Sequence, residues 1–399
     1  MRLQIGIVGR RNTGKSSLLN MISRQDIAIV SPEAGTTTDP VARSMELLPL
    51  GPVLFYDTAG LDDTGTLGEK RKATTRAIID RLDLGILVCV DDAWGALEEG
   101  LCREFNARGI PLIVVFNKCD LGHPDERTID GLEERGFLVV RTSCSRRQGI
   151  EELRDAMVRA MENTSDRTCS ITEGLVKAGE LAVLVTPIDL EAPKGRLILP
   201  QVQTIRDLLD RGAYCMVVQE DRLAAAIDNL KVPPALVVTD SQAFGLVSEI
   251  VPPEVPLTSF SILFSRFKGD LDSFADGTRA IGRLSPGDEV LIAEACTHHP
   301  IGDDIGTRKI PALLNRIAGG DLSFTHVQAH DFPLDKKVLG SFRLVVQCGS
   351  CMLNRRSVLS RIERCREVGV PISNYGMTIA WCLGIFDRAI EPLNNHRDS

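Results

Sequence analysis

Short apolar runs that stop on a glycine or a polar residue recur along the chain, each followed by a stretch of different spacing. LQIGIVG (3–9) leads into RRNTGKSSLLNMIS, and VLFYDTAG, IPLIVVFNKCD and VVRTSCS are three further runs of the same kind. Runs of this length, rich in Val, Ile and Leu and bounded by turn residues, predict buried strands of a parallel sheet. The helical pattern of EELRDAMVRAME gives out in a polar Asn/Thr/Ser/Asp stretch at 163–170, which reads as a linker. Beyond it LAVLV, RLIL, YCMVV and ALVV alternate with TIRDLLDRG and DRLAAAIDNL, the pattern of a smaller parallel α/β domain. From about residue 266 the pattern changes again. DEVLIAEA (288–295) and FRLVVQ (342–347) predict two strands. MLNRRSVLSRIERCREVGVP predicts a helix with Leu353, Val358, Leu359 and Ile362 on its apolar face, stopped by Gly369 and Pro371. The expected architecture is α/β in three domains, 1–163, 171–265 and 266–399.

The bulk numbers agree with that division. A chain of 399 residues is too long for one ordinary core, and 43% hydrophobic with 25% charged residues is a soluble globular composition. No apolar run is long enough to span a bilayer, and MRLQIGIVGRR goes straight into a strand with no signal peptide, so a cytoplasmic protein without a membrane partner is expected. The formal charge of −8 argues against nucleic acid as the main partner, because phosphate backbones call for a basic face. Eleven cysteines are many for a cytosolic chain. Most are expected to pack as small hydrophobes, among them Cys169, Cys215, Cys365 and Cys382.

The first run and its sequel spell GxxxxGKS with Gly9, Gly14, Lys15 and Ser16, between a predicted strand and a predicted helix. Glycines let backbone N–H groups wrap phosphates, and the helix N-terminus adds a favourable dipole. Asn12, Thr13 and Ser17 complete the loop. Lys15 is expected on the β- and γ-phosphates and the Ser16 hydroxyl on Mg²⁺. In VLFYDTAG, Asp57 is placed to hold Mg²⁺ through water and Gly60 to sense the γ-phosphate. In GTTTDP, Thr37 is the expected Mg²⁺ and γ-phosphate contact, with Thr36 and Thr38 as rivals. Asn117, Lys118 and Asp120 end the next run, and an aspartate there accepts both guanine N1–H and N2–H, which selects GTP over ATP. Ser143 and Cys144 in VVRTSCS are expected to offer a backbone N–H to the guanine O6. Four motifs, each at a strand's C-terminal end, obey the edge-binding rule for open α/β sheets.

Over residues 1–163 the chain resembles the translation-factor-like family of small GTPases. Leu61 follows DTAG where Ras-like proteins carry a water-orienting glutamine, so hydrolysis is expected to be slow. In the group resembling the tRNA-modifying GTPase TrmE, a P-loop asparagine coordinates K⁺ in place of an arginine finger. That resemblance gives Asn12 a potassium role; the alternative is that Asn12 only supports the loop.

Two clusters of soft ligands remain. CTHHP follows the strand at 288–295 at once, and CGSC follows FRLVVQ. If the two strands are parallel members of one sheet, both clusters fall at its C-terminal edge, and a helix starting after Cys351 favours thiolates. Three thiols and an imidazole suit zinc or an iron–sulfur cluster, and the spacing does not choose between them. A dithiol redox pair and coincidence among the cysteines are further readings. CTHHP, then CGSCMLNRR, then VPISNYG is similar to the maturation GTPases of [FeFe]-hydrogenases, the HydF family. That resemblance implies a [4Fe–4S] cluster on Cys296, Cys348 and Cys351, with the fourth iron site met by His298, by a carboxylate or by an exchangeable outside group, because Gln347 stands where the family often has histidine. It also implies a dimerisation domain at 171–265, a homodimer or higher oligomer, and apo-[FeFe]-hydrogenase and radical-SAM maturases as partners. His299, Asp303 and Asp304 are candidates for outer contacts, the aspartates more for capping. Asp240 is expected to cap a helix, and His326 and His330 to be solvent-exposed or in a loop. The competing reading is a TrmE- or Era-like RNA-directed GTPase with a structural zinc site.

Overall fold

A computed structural model describes residues 2–23, 41–57, 78–90, 93–162, 170–188, 197–295, 304–328 and 331–394. The chain forms two compact units, Met1–Arg167 and Thr168–Ser399.

In the first unit the elements run β1 (Leu3–Val8), α1 (Lys15–Ser23), β2 (Val41–Leu47), β3 (Gly51–Asp57), β4 (Leu84–Cys89), α2 (Ala96–Ala107), β5 (Leu112–Phe116), α3 (Glu126–Glu134), β6 (Leu138–Arg141) and α4 (Ile150–Glu162). They build a six-stranded sheet in the order β2-β3-β1-β4-β5-β6. Only β2 runs antiparallel to its neighbour. The central strands are buried on both faces, as their continuous apolar sequence requires. Leu18, Ile22, Leu153 and Met157 cover one face with Ile5, Val53 and Ile86. Leu101 and Phe105 of α2 cover Val8, Leu87 and Leu112 on the other. The registers Ile7↔Asp57, Cys89↔Phe116 and Phe116↔Arg141 bring the C-terminal strand ends to one edge, so the motifs that follow them meet there.

The second unit runs β7 (Leu181–Val185), α5 (Leu199–Asp210), β8 (Tyr214–Val218), α6 (Leu223–Asp228), β9 (Leu236–Thr239), α7 (Phe244–Ile250), β10 (Leu257–Ser259), α8 (Phe260–Lys268) and α9 (Leu271–Arg279). It continues with β11 (Glu289–Ala293), α10 (Ile310–Ala318), β12 (Ser323–Val327), α11 (Lys336–Leu339), β13 (Leu344–Gln347), α12 (Arg355–Glu367), β14 (Ile372–Asn374), α13 (Tyr375–Cys382) and α14 (Phe386–Asn394). Two four-stranded parallel sheets result, β10-β9-β7-β8 and β12-β11-β13-β14. One core reaches from Ile171 through Phe264 and Val345 to Leu393, so the sheets belong to one body. Arg388 of α14 also donates to the carbonyls of Ser248, Val251 and Pro252. The boundary expected at 265/266 falls inside α8.

One local expectation changes. RLIL is not a strand: Leu199 opens α5, and Pro200 sets the first helical turn, where its missing N–H is no loss. His326 is exposed, as expected, and lies on strand β12. Strands β10 and β14 are only three residues each, too short to leave a periodic signal. Cys365 and Cys382 are buried, and Cys215 packs against the core. Asp240 stands before a short 3₁₀ turn and accepts from Gln201 Nε2 at 3.1 Å. Among the described residues no helix is long and apolar enough to cross a membrane.

Candidate functional site

At the edge of the first sheet the phosphate loop is bent by residues that tolerate the left-handed region. Gly9 has φ +143° and a Cβ there would come 2.2 Å from the Val88 carbonyl oxygen. Gly14 has φ +94°, and a Cβ would meet Asn117 Nδ2 at 2.3 Å. Asn12 adopts φ +60°, a conformation asparagine accepts better than most residues. The buried Lys15 ammonium donates to the Gly9 and Arg10 carbonyls at 3.1 and 2.6 Å, so it stands inside the loop that phosphates would fill. Ser16 Oγ donates to Asp57 Oδ2 at 2.6 Å, which brings together the hydroxyl and the carboxylate expected around Mg²⁺. Thr13 is buried and its hydroxyl donates to the Arg10 carbonyl; Ser17 is exposed at the start of α1.

The guanine side is assembled from two strand ends. Asn117 Nδ2 donates to the Thr13 carbonyl at 2.9 Å, while its Oδ1 accepts from Thr142 Oγ1 and Cys144 Sγ at 3.1 and 3.3 Å. Lys118 Nζ donates to the Asn12 carbonyl at 2.7 Å, tying the base side to the phosphate loop. Asp120 accepts from Ser143 Oγ at 2.6 Å and from Ser145 Oγ at 2.9 Å. Those two hydroxyls hold its carboxyl below the usual range, so it stays an acceptor for the paired donors of guanine. Burial raises the Cys144 thiol. The Ser143 N–H donates to the Gln148 carbonyl at 3.1 Å, while its hydroxyl turns to Asp120. Ser145 was not anticipated, though a second serine two residues on was its signal. Nor was Arg10, whose Nε and Nη2 pair with the buried Glu98 at 2.7 and 2.9 Å, while Glu98 also accepts from the Gly95 N–H at the start of α2. That pairing fastens the phosphate loop to α2.

The second candidate site lies at the corresponding edge of the last sheet. Strands β11 and β13 are parallel neighbours with Ala293 opposite Gln347, and the ladder continues through Cys348 N–H to the Ala293 carbonyl at 3.0 Å. Cys348 Sγ accepts from the Ala295 N–H at 3.1 Å and from the Ser350 N–H at 3.5 Å. Ser350 sits in the left-handed region at φ +53° and donates its hydroxyl to the Cys348 carbonyl, which makes the Cys348–Cys351 loop a tight turn. Below it Lys268, only 1% exposed, donates from Nζ to the carbonyls of Ser350, Cys351 and Leu353, each at 2.9 Å. Burial lowers Lys268 to about 8, and the Cys351 and Cys348 thiols act in the opposite direction. Gln347 is buried, with Nε2 on Ser350 Oγ at 2.8 Å and Oε1 accepting from Arg361, so it is committed to the loop. Buried Glu294 accepts from Tyr375 Oη at 3.1 Å and Gln328 Nε2 at 3.3 Å. Burial first, then Cys348 and Glu294, push the Tyr375 phenol well above its ordinary range, so it remains a donor.

Asp304 is buried and caps the following π-helical turn through Thr307 N–H and Oγ1, the capping role expected of it. The helix expected after Cys351 is α12, which begins at Arg355 with Asn354 as its cap. Thr37 with its rivals Thr36 and Thr38, Gly60, Leu61, Cys169, Cys296, His298, His299, Asp303 and His330 lie outside the described residues. Among the described residues no group of three His, Cys, Asp or Glu side chains is arranged to hold a metal. Lys268, Glu294 and Tyr375 were missed. Lys268 had a signal: it continues the buried spacing of Phe260 and Phe264 along α8, where a lysine is unexpected.

Comparison with known proteins bears on both sites. A family model described as the hydrogen maturase F dimerization domain matches residues 171–269, and one for the hydrogen maturase F tetramerization domain matches 272–392. The chain belongs to the hydrogen maturase F family. Its N-terminal part matches a 50S ribosome-binding GTPase model over residues 4–118, and a GTPase domain implies GTP and Mg²⁺ as its ligands. The same part is similar to tRNA modification GTPases MnmE, with 38% identity over 165 residues in the protein of Picosynechococcus sp.. The protein of Acinetobacter baylyi is 39% identical over 162 residues. These matches cover 40% and 39% of this chain, and only 35% and 33% of those proteins, about a third of their length. Era of Aquifex aeolicus overlaps 55% of this chain and 93% of its own, at 20% identity and a TM-score of 0.33.

Proposed function

We propose that the chain is a GTP-hydrolysing scaffold whose last sheet holds a [4Fe–4S] cluster on Cys296, Cys348 and Cys351. In this reading it carries a diiron precursor, made by radical-SAM maturases, to apo-[FeFe]-hydrogenase. The reading draws on hydrogen maturase F membership and on one contact above all, the Ala295 N–H on Cys348 Sγ at 3.1 Å. That contact sets the chain immediately before Cys296 against the Cys-x-x-Cys loop. The donor set suits a soft metal group: Cys348 Sγ faces two N–H donors, and a buried ammonium stands beneath the loop, both favouring anionic sulfur. When bound, such a cluster supplies iron with an exchangeable coordination position. Gln347, held by Ser350 and Arg361, is not free to fill that position, which leaves it to His298 or to an outside group.

The phosphate loop, Lys15, Ser16 and Asp57 bind GTP and Mg²⁺ in this reading, with Thr37 and Gly60 closing on the γ-phosphate, and nucleotide state biases which partner docks. Asn12 holds K⁺ as the activator of a slow hydrolysis. Self-association is carried by the family's dimerization and tetramerization domains. Strand β8 is an edge of its sheet and exposes Tyr214 and Val217, an open apolar edge of the kind that pairs with a second chain.

Anaerobic reconstitution with iron and sulfide tests the cluster. A brown protein with about four iron and four sulfide per chain is expected, by the stoichiometry of such a cluster. A colourless product holding one zinc per chain overturns it. The MnmE likeness of the GTPase domain favours a second reading, an RNA-directed GTPase with a zinc-stabilised C-terminal region. It predicts salt-sensitive retention of tRNA, which the net charge of −8 opposes.

A further inference from the structure

Helix α8 lies at the end of the region matched as the dimerization domain, whereas the Cys348–Cys351 loop belongs to the region matched as the tetramerization domain. Two contacts cross between them in opposite directions. Lys268, the last residue of α8, donates to the carbonyls of Ser350, Cys351 and Leu353. Arg355, the first residue of α12, donates from Nη1 to the carbonyls of Phe267 and Gly269, both at 3.1 Å. Each side's cation therefore donates to the other side's backbone carbonyls. The junction is also tightly packed: a Cβ on Gly269 would meet Ser265 O at 2.9 Å and Val358 Cγ1 at 3.3 Å.

An ammonium has three donors, and all three of Lys268 go to backbone carbonyls. Among the described residues, the Cys351 and Cys348 thiols are the ionisable groups that act on it. A lysine buried to 1% exposure without a carboxylate is costly unless an anion stands close by. A surface lysine or a neutral donor would cap the same carbonyls without that desolvation cost. Burying the charge makes physical sense where the loop itself is to carry negative charge.

We propose that Lys268 is the positioning residue of the Cys348–Cys351 loop, holding it in its ligand-presenting shape before any metal arrives and supplying the fixed positive charge beneath it. The inference deepens the cluster reading and rests on it for the identity of the anion. Its geometric half stands by itself: the loop is shaped by α8 and not by the metal. Ser350 is held in the left-handed region because its carbonyl is fixed by Lys268 while its hydroxyl is fixed by Gln347 and Cys348.

The test is amide hydrogen exchange on the full-length metal-free chain, followed by mass spectrometry of peptides covering 343–356. In the wild type, the amides of Cys348, Ser350 and Leu353 should exchange at least tenfold more slowly than an open loop. In Lys268→Met that protection should fall about tenfold or more, while peptides of β7 and β9 keep theirs and so report that the unit is folded. Lys268→Gln, which keeps a shorter neutral donor, should lie between the two. Unprotected loop amides in the wild type overturn the proposal without reference to any variant, and so does unchanged protection in a folded Lys268→Met chain. A second readout separates this inference from the cluster reading. After reconstitution, Lys268→Met should lose iron to a chelator at least fivefold faster and show a more negative reduction potential in an EPR-monitored titration. If the wild type binds zinc instead, the cluster reading fails and the exchange result still decides the role of Lys268. If both proteins hold equal clusters of equal potential and equal loop protection, the cluster reading stands and the positioning role falls.

Discussion

The guanine-nucleotide site and the cysteine site share one architecture, loops at the C-terminal edge of a parallel sheet, yet they are held by opposite means. In the phosphate loop the binding groups are close in sequence, and shape comes from glycines at positive φ packed against backbone and Asn117. Lys15 is held by carbonyls of its own loop. In the cysteine loop the shaping residue, Lys268, comes from 80 or more positions away, and the neighbouring strand contributes the Ala295 N–H to Cys348 Sγ. A locally encoded site is announced by a motif. A tertiary site is announced only by its ligands.

That contrast can be broken most severely at Gly14. Gly14→Ala places a Cβ 2.3 Å from Asn117 Nδ2 at a backbone angle that L residues avoid. GTP affinity should fall by about a hundredfold or more, since strain of this kind is worth roughly 1–3 kcal/mol before the lost phosphate contacts are added. Calorimetric titration with GTP checks this, and an unchanged Kd shows that the loop is not built as described. Next comes the pairing of Asp120 with its two serines. Ser143→Ala should weaken GTP binding about tenfold, the usual weight of a hydrogen bond to a charged group, and Ser145→Ala less. Equal small losses in GTP and ATP binding would show that the serines do not serve guanine recognition.

Alkaline pH sharpens the comparison from the other side, because the second unit buries thiols that no ligand claims. Burial pushes Cys365 up to about 12 from the ordinary value near 9. The folded pKa is raised, so this stability is fully present below about pH 9, where the unfolded thiol is also protonated, and is lost as pH rises toward 12. The maximum slope is about 1.4 kcal/mol per pH unit for one such group. Urea midpoints of the wild type should therefore fall between pH 9 and 11 more steeply than those of Cys365→Ala, although the variant is less stable at pH 7. Parallel slopes contradict the assignment. The smallest expected effect concerns Asn12: GTP turnover should be a few-fold faster in KCl than in NaCl, and equal rates remove the potassium role.

The difference between the sites also explains what could be read from the sequence. Lys15, Ser16, Asp57, Asn117 and Asp120 stood out because each lies at or beyond the C-terminal end of an apolar strand, and strand order in an open sheet brings such ends together. Cys348 and Cys351 stood out as candidate ligands by spacing, and the parallel pairing of β11 with β13 was inferable from where the clusters fall. Lys268 was not, because its meaning depends on which loop packs over α8, and no local pattern records that. Strands β10 and β14, three residues each, left no period to detect. RLIL misled because a run that short fits either class, and Pro200 decided for the helix. Gln347 was set aside as a poor iron ligand on its chemistry alone, and its contacts with Ser350 and Arg361 became visible only in the structure.

EPR of the anaerobically reconstituted, dithionite-reduced chain, compared with Cys296→Ser, tests the central claim most directly, because it asks whether the segment after β11 and the loop after β13 share one cluster. The account predicts a reduced [4Fe–4S] signal in the wild type that is abolished or strongly altered in the variant. An identical signal of equal intensity in both proteins, or no iron signal in a wild type that instead carries zinc, contradicts it.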